Sequence, residues 1–244
     1  GGPVTGIPPG VYPGVMSKVL ILGAGTAGTM LANKLVKALP PTASITVVDK
    51  DDDHDYQPGY LFIPFGTSTP ERVRKSRKAQ LNRKVKLVTD PIVSVDPDAK
   101  TVELKSQTLS YDWLFIATGT TPRPDMTPGL TDERVWKKSA FDFYTRDGAT
   151  ALRSAMESFT GGKILVHVTA MPIKCPVAPL EFTFLADAFF DEQGLRDKVD
   201  ITYVTPLEGA FTKPVSSRLL GDMLDKRKVH LEPDFMVESI DTQA

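Results

Sequence analysis

The one cysteine of this chain, Cys175, stands in the segment Pro172-Ile173-Lys174-Cys175-Pro176-Val177-Ala178-Pro179-Leu180-Glu181. An apolar run, Lys163 to Val168, precedes it, and a stretch predicted as a helix from about Leu180 to Asp191 follows. A thiol at such a strand-to-helix turn has the Lys174 ammonium beside it and a helix N-terminus ahead. Both favour the thiolate, which is the nucleophilic form. Pro172, Pro176 and Pro179 stiffen the turn and can hold the sulfur at a fixed place. The predicted chemistry is redox chemistry at sulfur, against the plainer alternative of an inert buried thiol.

A second turn carries a different chemistry. Lys18 to Leu22 is a short apolar run that enters Gly23-Ala24-Gly25-Thr26-Ala27-Gly28, and a helix is predicted from about Thr26 to Ala38, ended by Pro40-Pro41. Gly23 permits the tight turn, Gly25 lets backbone approach a pyrophosphate, and Gly28 lets the helix pack on the strand. Asp49 closes the next predicted strand, Ser44 to Asp49, where a carboxylate can accept hydrogen bonds from an adenosine ribose. This spacing predicts dinucleotide binding rather than an ordinary tight turn.

Further on, Ile116-Ala117-Thr118-Gly119-Thr120-Thr121-Pro122 resembles the Ala-Thr-Gly return strand of flavoproteins that carry two dinucleotide-binding domains, and points to FAD. Such flavoproteins carry a second glycine loop for a nicotinamide. Here the strand Lys163 to Val168 runs into Thr169-Ala170-Met171-Pro172, whose side chains and proline obstruct the close backbone approach that a pyrophosphate needs.

Taken together, these residues resemble the sulfide:quinone oxidoreductases and, less closely, the flavoprotein subunit of flavocytochrome c sulfide dehydrogenases. The resemblance runs from about Lys18 to the C-terminus. It is most specific at Tyr56-Gln57-Pro58-Gly59-Tyr60, at the Ala-Thr-Gly strand and at PIKCPVAPLEFTFLADAFF. It implies an FAD lined by Thr26, Ala27, Asp49, Lys50, Gln57, Ile92, Thr118 and Gly119, with Cys175 as one of two redox cysteines beside the isoalloxazine. It further implies that sulfide attacks a disulfide or trisulfide joining Cys175 to a second cysteine, and that two electrons pass through FAD to a membrane quinone. Glu181 matches an acidic position near the flavin and is the candidate for proton handling; its plain alternative is a first-turn carboxylate stabilised by the helix dipole.

The chain departs from that pattern in three ways. It has no second cysteine. Family members return to the FAD domain with a Gly-Asp segment and finish with a region supplying the partner cysteine, the quinone pocket and the membrane contact, so an N-terminal portion of a longer protein is expected, and sulfide oxidation with electron transfer to quinone is expected to need that region. Lys137-Lys138-Ser139-Ala140 lacks the cysteine that some members carry there, which gives a covalent flavin link no support.

The elements needed to position these residues read as an α/β fold. It comprises two Rossmann-like dinucleotide-binding domains, doubly wound and three-layered, the second degenerate and incomplete. Residues 1–16 read as a leader or cloning remnant, 17–157 as an FAD-binding domain and 158–244 as a second domain carrying the redox cysteine. Within the first, a helix is expected inside Arg72 to Lys86, a strand at Val85 to Val88, and a β meander near Ile92 to Val95 and Thr101 to Leu104. Trp113 to Ala117 is expected to be a buried strand. A strand at Asp200 to Val204 extends the second domain.

Composition removes other classes. At 244 residues and a formal net charge of -1, the chain has ample length for a core and no global pull toward nucleic acid. No apolar run approaches the roughly 18 to 20 residues of a membrane span, so the chain is expected to be soluble and any membrane contact peripheral. The basic run from Arg72 to Lys86 lacks interleaved aromatics for base stacking and reads as a solvated helix face. Asp49 to Asp55 is not a calcium loop, because Tyr56 and Phe62 occupy the positions that need Gly and Glu. His54, His167 and His230 show no ligand spacing, and no metal is expected. Sulfide and a quinone are the expected partners, and homo-oligomerisation is left open. The rival readings are another quinone-reducing flavoenzyme, such as a type II NADH dehydrogenase, and a non-catalytic flavin-binding fragment.

Overall fold

The computed structural model describes residues 17–242, so the segment read as a leader lies outside the described residues. Packing divides these into two compact units, 17–55 with 74–119, and 56–73 with 120–242. The division is therefore interleaved along the chain rather than made at one linear boundary.

The first unit is built on β1 (Lys18–Leu22), α1 (Thr26–Ala38), β2 (Ser44–Asp49), β3 (Asp53–Asp55), β4 (Arg74–Ser76), α2 (Arg77–Gln80) and β5 (Val85–Thr89). The meander β6 (Ile92–Asp96), β7 (Thr101–Leu104) and β8 (Thr108–Ser110) follows, and β9 (Trp113–Ile116) completes it. A four-stranded parallel sheet runs in the order β5-β2-β1-β9, with Lys18 opposite Ser44 and Val19 opposite Trp113. The central strands are apolar at nearly every position because both faces are covered. On one face Val19, Ile21, Ile45 and Val47 pack with Leu31, Leu35 and Val36 of α1. On the other, Leu20, Leu22, Val48 and Val88 pack with Val102, Leu104 and Tyr111 of the meander side. Helix, sheet and meander are the three layers, and each fully buried Leu, Ile or Val stabilises them by roughly 1.5–3 kcal/mol.

Two expectations are corrected here. β9 is not a buried strand: Trp113, Phe115 and Ile116 are 58, 37 and 70 % exposed. It pairs with β1 on one side only, and among the described residues no strand takes its outer edge. The basic run is not one solvated helix face either, since α2 is only four residues long and the residues before it form β4, paired antiparallel with β3. Ion pairs join the two oppositely charged segments. Arg74 binds Asp53 and Asp55, and Arg77 binds Asp49 and Asp51.

The second unit contains α3 (Arg146–Ser158), β10 (Gly162–His167), α4 (Ala178–Glu192), β11 (Val199–Val204), α5 (Pro214–Lys226) and β12 (His230–Glu232), with a parallel sheet ordered β10-β11-β12. Thr145 starts α3 by accepting the Gly148 amide at 3.0 Å, which satisfies one otherwise unpaired donor. Leu180, Phe182, Ala186 and Phe190 of α4 form the core with Val166, Ile201, Tyr203 and Leu224. The 56–73 segment opens with the 3-10 turn Gln57–Phe62 and contributes Leu61 and Phe65 to that core. Phe182 stacks on Phe143 with centroids 4.6 Å apart and meets Phe65 at 5.1 Å. Buried Asp187 binds Arg196 at 2.5 Å and Arg227 at 3.0 Å. Among the described residues no helix is long and apolar enough to cross a membrane.

Candidate functional site

Each unit carries one candidate site at a strand-to-helix turn. In the first, the chain leaves β1 at Gly23 with φ +97, a conformation that glycine adopts without strain. A Cβ here would lie 2.3 Å from the Ala117 carbonyl oxygen, so this glycine lets the loop close against the end of β9. Gly28 plays the packing role: a Cβ there would lie 1.8 Å from the Gly23 oxygen. At Gly25, by contrast, a Cβ would meet nothing within 4 Å.

Gly25 is also the N-cap of α1, which has no side-chain cap and no acidic residue in its first turn. Thr26 and Ala27 begin that turn and are exposed. The free amides of an uncapped helix start, with open space above them, are a ready site for phosphate. Thr118 and Gly119 follow β9, and Gly119 is exposed with open space around it. The residues present fit the pyrophosphate of a dinucleotide.

Asp49 stands at the end of β2 beside this loop. Its Oδ2 accepts the Ala24 amide at 2.7 Å and lies 3.1 Å from Arg77, while its Oδ1 accepts the Lys50 amide at 2.8 Å. The Ala24 carbonyl accepts the Thr29 hydroxyl at 3.0 Å and faces His54 Nδ1 at 3.1 Å, which donates in its Nδ1–H tautomer. Lys50 is exposed, and Ile92 packs against the core of Leu20, Leu22, Val48 and Val102. The structure thus gathers Gly23, Gly25, Thr26, Ala27, Gly28, Asp49, Thr118 and Gly119 around one turn.

Gln57 belongs to the second unit, with the cysteine turn. Its Oε1 accepts the Lys174 ammonium. Cys175 is exposed, with φ 52 in the left-handed region. Its carbonyl accepts the Ala178 amide and the Tyr144 hydroxyl, both at 3.1 Å. Burial pushes the Tyr144 phenol well above its ordinary value, so it remains a donor across the physiological range. Burial also lowers Lys174, with the Cys175 charge acting in the opposite sense. Helix α4 begins three residues beyond Cys175 without a side-chain cap, and Glu181 lies exposed in its first turn. Near the start of the 56–73 segment a recess of about 340 Å³ opens among Tyr56, Phe62, Thr67, Ser68 and Arg72.

Sequence reasoning missed Arg77, His54 and Tyr144. The complementary runs 49–55 and 74–78 carried the signal for Arg77. Tyr144 has none, because it is brought to Cys175 by packing between distant segments. Among the described residues no group of three or more His, Cys, Asp or Glu side chains gathers to hold a metal.

Known flavoenzymes and oxidoreductases resemble the chain in sequence and fold. The chain is 24 % identical over 217 residues to the mitochondrial sulfide:quinone oxidoreductase of Dictyostelium discoideum, covering 88 % of this chain and 48 % of the relative. It is 36 % identical over 105 residues to a type II NADH:quinone oxidoreductase of Staphylococcus aureus, covering 42 % of this chain and 26 % of that protein. The solved sulfide:quinone oxidoreductase of Aquifex aeolicus superposes with a TM-score of 0.79 at 19 % identity, over 92 % of this chain and 52 % of that one. The chain spans about half the length of the sulfide:quinone oxidoreductases it matches. The family model for pyridine nucleotide-disulphide oxidoreductases matches residues 17–166, a span that takes in the whole described part of the first unit. The chain therefore belongs to the pyridine nucleotide-disulphide oxidoreductases, and its cofactor is FAD.

Proposed function

We propose that this chain is the FAD- and thiol-bearing part of a flavoprotein that oxidises sulfide and passes the electrons to a membrane quinone. The first unit serves as the FAD-binding domain, with Thr26, Ala27, Asp49, Lys50, Ile92, Thr118 and Gly119 lining the cofactor. The observation that carries the reading is the place of Cys175. It is an exposed thiol at the head of α4, in the turn where a nicotinamide-binding domain would carry glycines. Pro172 supplies no amide there, and Cys175 is flanked by Lys174 and an uncapped helix start.

FAD supplies a two-electron acceptor. With that acceptor in place the Cys175 thiolate would hold the sulfur of sulfide, the net change being one thiol and one hydrogen sulfide to one persulfide with two electrons given up to the flavin. Two electrons and two protons would leave the sulfur groups, and a quinone would accept two electrons and two protons to become quinol. Lys174 favours the anionic sulfur, and exposed Glu181 accepts the released proton. The quinone is met at a peripheral membrane contact. The match to a type II NADH:quinone oxidoreductase supports a second reading, in which NADH is the donor. Anaerobic reduction of the FAD-loaded chain by sulfide or by NADH, with Cys175→Ser beside it, separates the two.

A further inference from the structure

Five carboxylates crowd the seven residues that follow the core of β2: Asp49, Asp51, Asp52, Asp53 and Asp55. The first of them bonds the glycine loop directly, through the Ala24 amide. A pyrophosphate seated on that loop carries negative charge of its own, so an uncompensated acidic run beside it opposes binding. Every one of these carboxylates is met from the basic segment. Arg74 binds Asp53 and Asp55. The Ser76 hydroxyl and the Lys78 amide bind Asp52 at 2.6 and 2.9 Å.

Arg77 takes the two that remain. Its Nη1 lies 3.1 Å from Asp49 Oδ2, its Nη2 3.1 Å from Asp51 Oδ1, and its Nε donates to the Asp51 carbonyl at 3.0 Å. Its backbone amide donates to the Asp52 carbonyl at 2.8 Å, and its side chain is only 11 % exposed. The guanidinium is therefore fixed, and its donors are used inside the protein. We propose that Arg77 is a positioning residue for the pyrophosphate-adenosine half of FAD, acting through Asp49. It holds the carboxylate that orders Ala24 and cancels the charge that would repel the phosphates. The basic run that sequence alone presents as a surface patch is in this part an internal counter-charge for the cofactor loop. The inference rests on FAD being the ligand of the glycine loop.

The test is FAD affinity by flavin fluorescence titration of the chain and four variants: Arg77→Lys, Arg77→Gln, Arg77→Met, and Arg77→Met combined with Asp51→Asn. Thermal midpoints are read in parallel, and affinities are compared well below all of them. Charge compensation predicts that Arg77→Lys stays within about threefold of the native chain, while Arg77→Gln and Arg77→Met each lose about tenfold or more. It also predicts that adding Asp51→Asn to Arg77→Met recovers about threefold, because one of the two carboxylates left unpaired is gone. Should Arg77→Met not fold, Arg77→Gln against its own Asp51→Asn double carries the same comparison. Native affinity in the uncharged variants overturns the inference, as does a double variant no tighter than the single, which marks a purely structural residue. A native chain that binds no FAD overturns the cofactor reading itself.

Discussion

Tyr144 donates its hydroxyl to the carbonyl of Cys175 at 3.1 Å, and that carbonyl also takes the Ala178 amide at the head of α4. The shared acceptor ties the turn at both ends while Cys175 holds φ 52, a region that costs an L residue about 1 kcal/mol or more. The thiol is thus presented by a turn that its own residue type disfavours. Glycine would suit it better.

Replacement at this turn follows from that balance. Tyr144→Phe removes one hydrogen bond and is expected to cost about 1 kcal/mol. Cys175→Gly relieves the left-handed strain and is expected to leave stability unchanged or raise it by up to about 1 kcal/mol. Urea denaturation measures both. A native-like Tyr144→Phe together with a destabilised Cys175→Gly would contradict this account of the turn.

The glycine loop predicts two opposite outcomes for one added methyl group. Gly25→Ala meets open space and an ordinary extended backbone, so its melting temperature stays within about 2 °C of native. The same methyl occupies the cradle, and FAD affinity falls by about tenfold or more. Gly28→Ala instead drives a Cβ into the Gly23 carbonyl and is expected to cost about 3 kcal/mol or more. Circular dichroism melts and flavin titration distinguish the two. A destabilised Gly25→Ala with undiminished FAD affinity would contradict the assignment.

Legibility of the fold followed the range of the forces involved. Lys18–Leu22, Thr26–Ala38 and Ser44–Asp49 fall at their expected bounds, because apolar runs, a glycine loop and Pro40-Pro41 are local signals. The exposure of Trp113 and Ile116 was not legible. An apolar run specifies a strand but not whether the sheet continues beyond it. Arg77 escaped because its ion pair joins positions 28 residues apart, which meet only through the antiparallel pairing of β3 with β4. Thr26 read correctly as the start of the helix, whereas the partners of Asp49 emerged only from the folded loop.

Stability should also depend on pH through His167. Burial holds its imidazole below the ordinary 6.5, and among the described residues its Nε2 has no partner. The fold thus prefers the neutral ring. Above about pH 6.5 neither the folded nor the unfolded chain carries this proton, and the full contribution is present. As pH falls through 6.5 toward the lower folded value, the unfolded chain protonates first and that stability is lost. His167→Phe keeps a ring against Phe235 and removes the titration. Between about pH 7.5 and 5 the native chain should lose more stability than His167→Phe, and equal losses would contradict the assignment.

The most direct measurement is anaerobic titration of the FAD-loaded chain with sulfide, following the visible flavin absorption and then the mass of the Cys175 peptide. The account predicts loss of the oxidised-flavin band, one added sulfur on Cys175, no response in Cys175→Ser, and no reduction by NADH. An oxidised flavin that persists in excess sulfide, or one bleached equally well in Cys175→Ser, would contradict it.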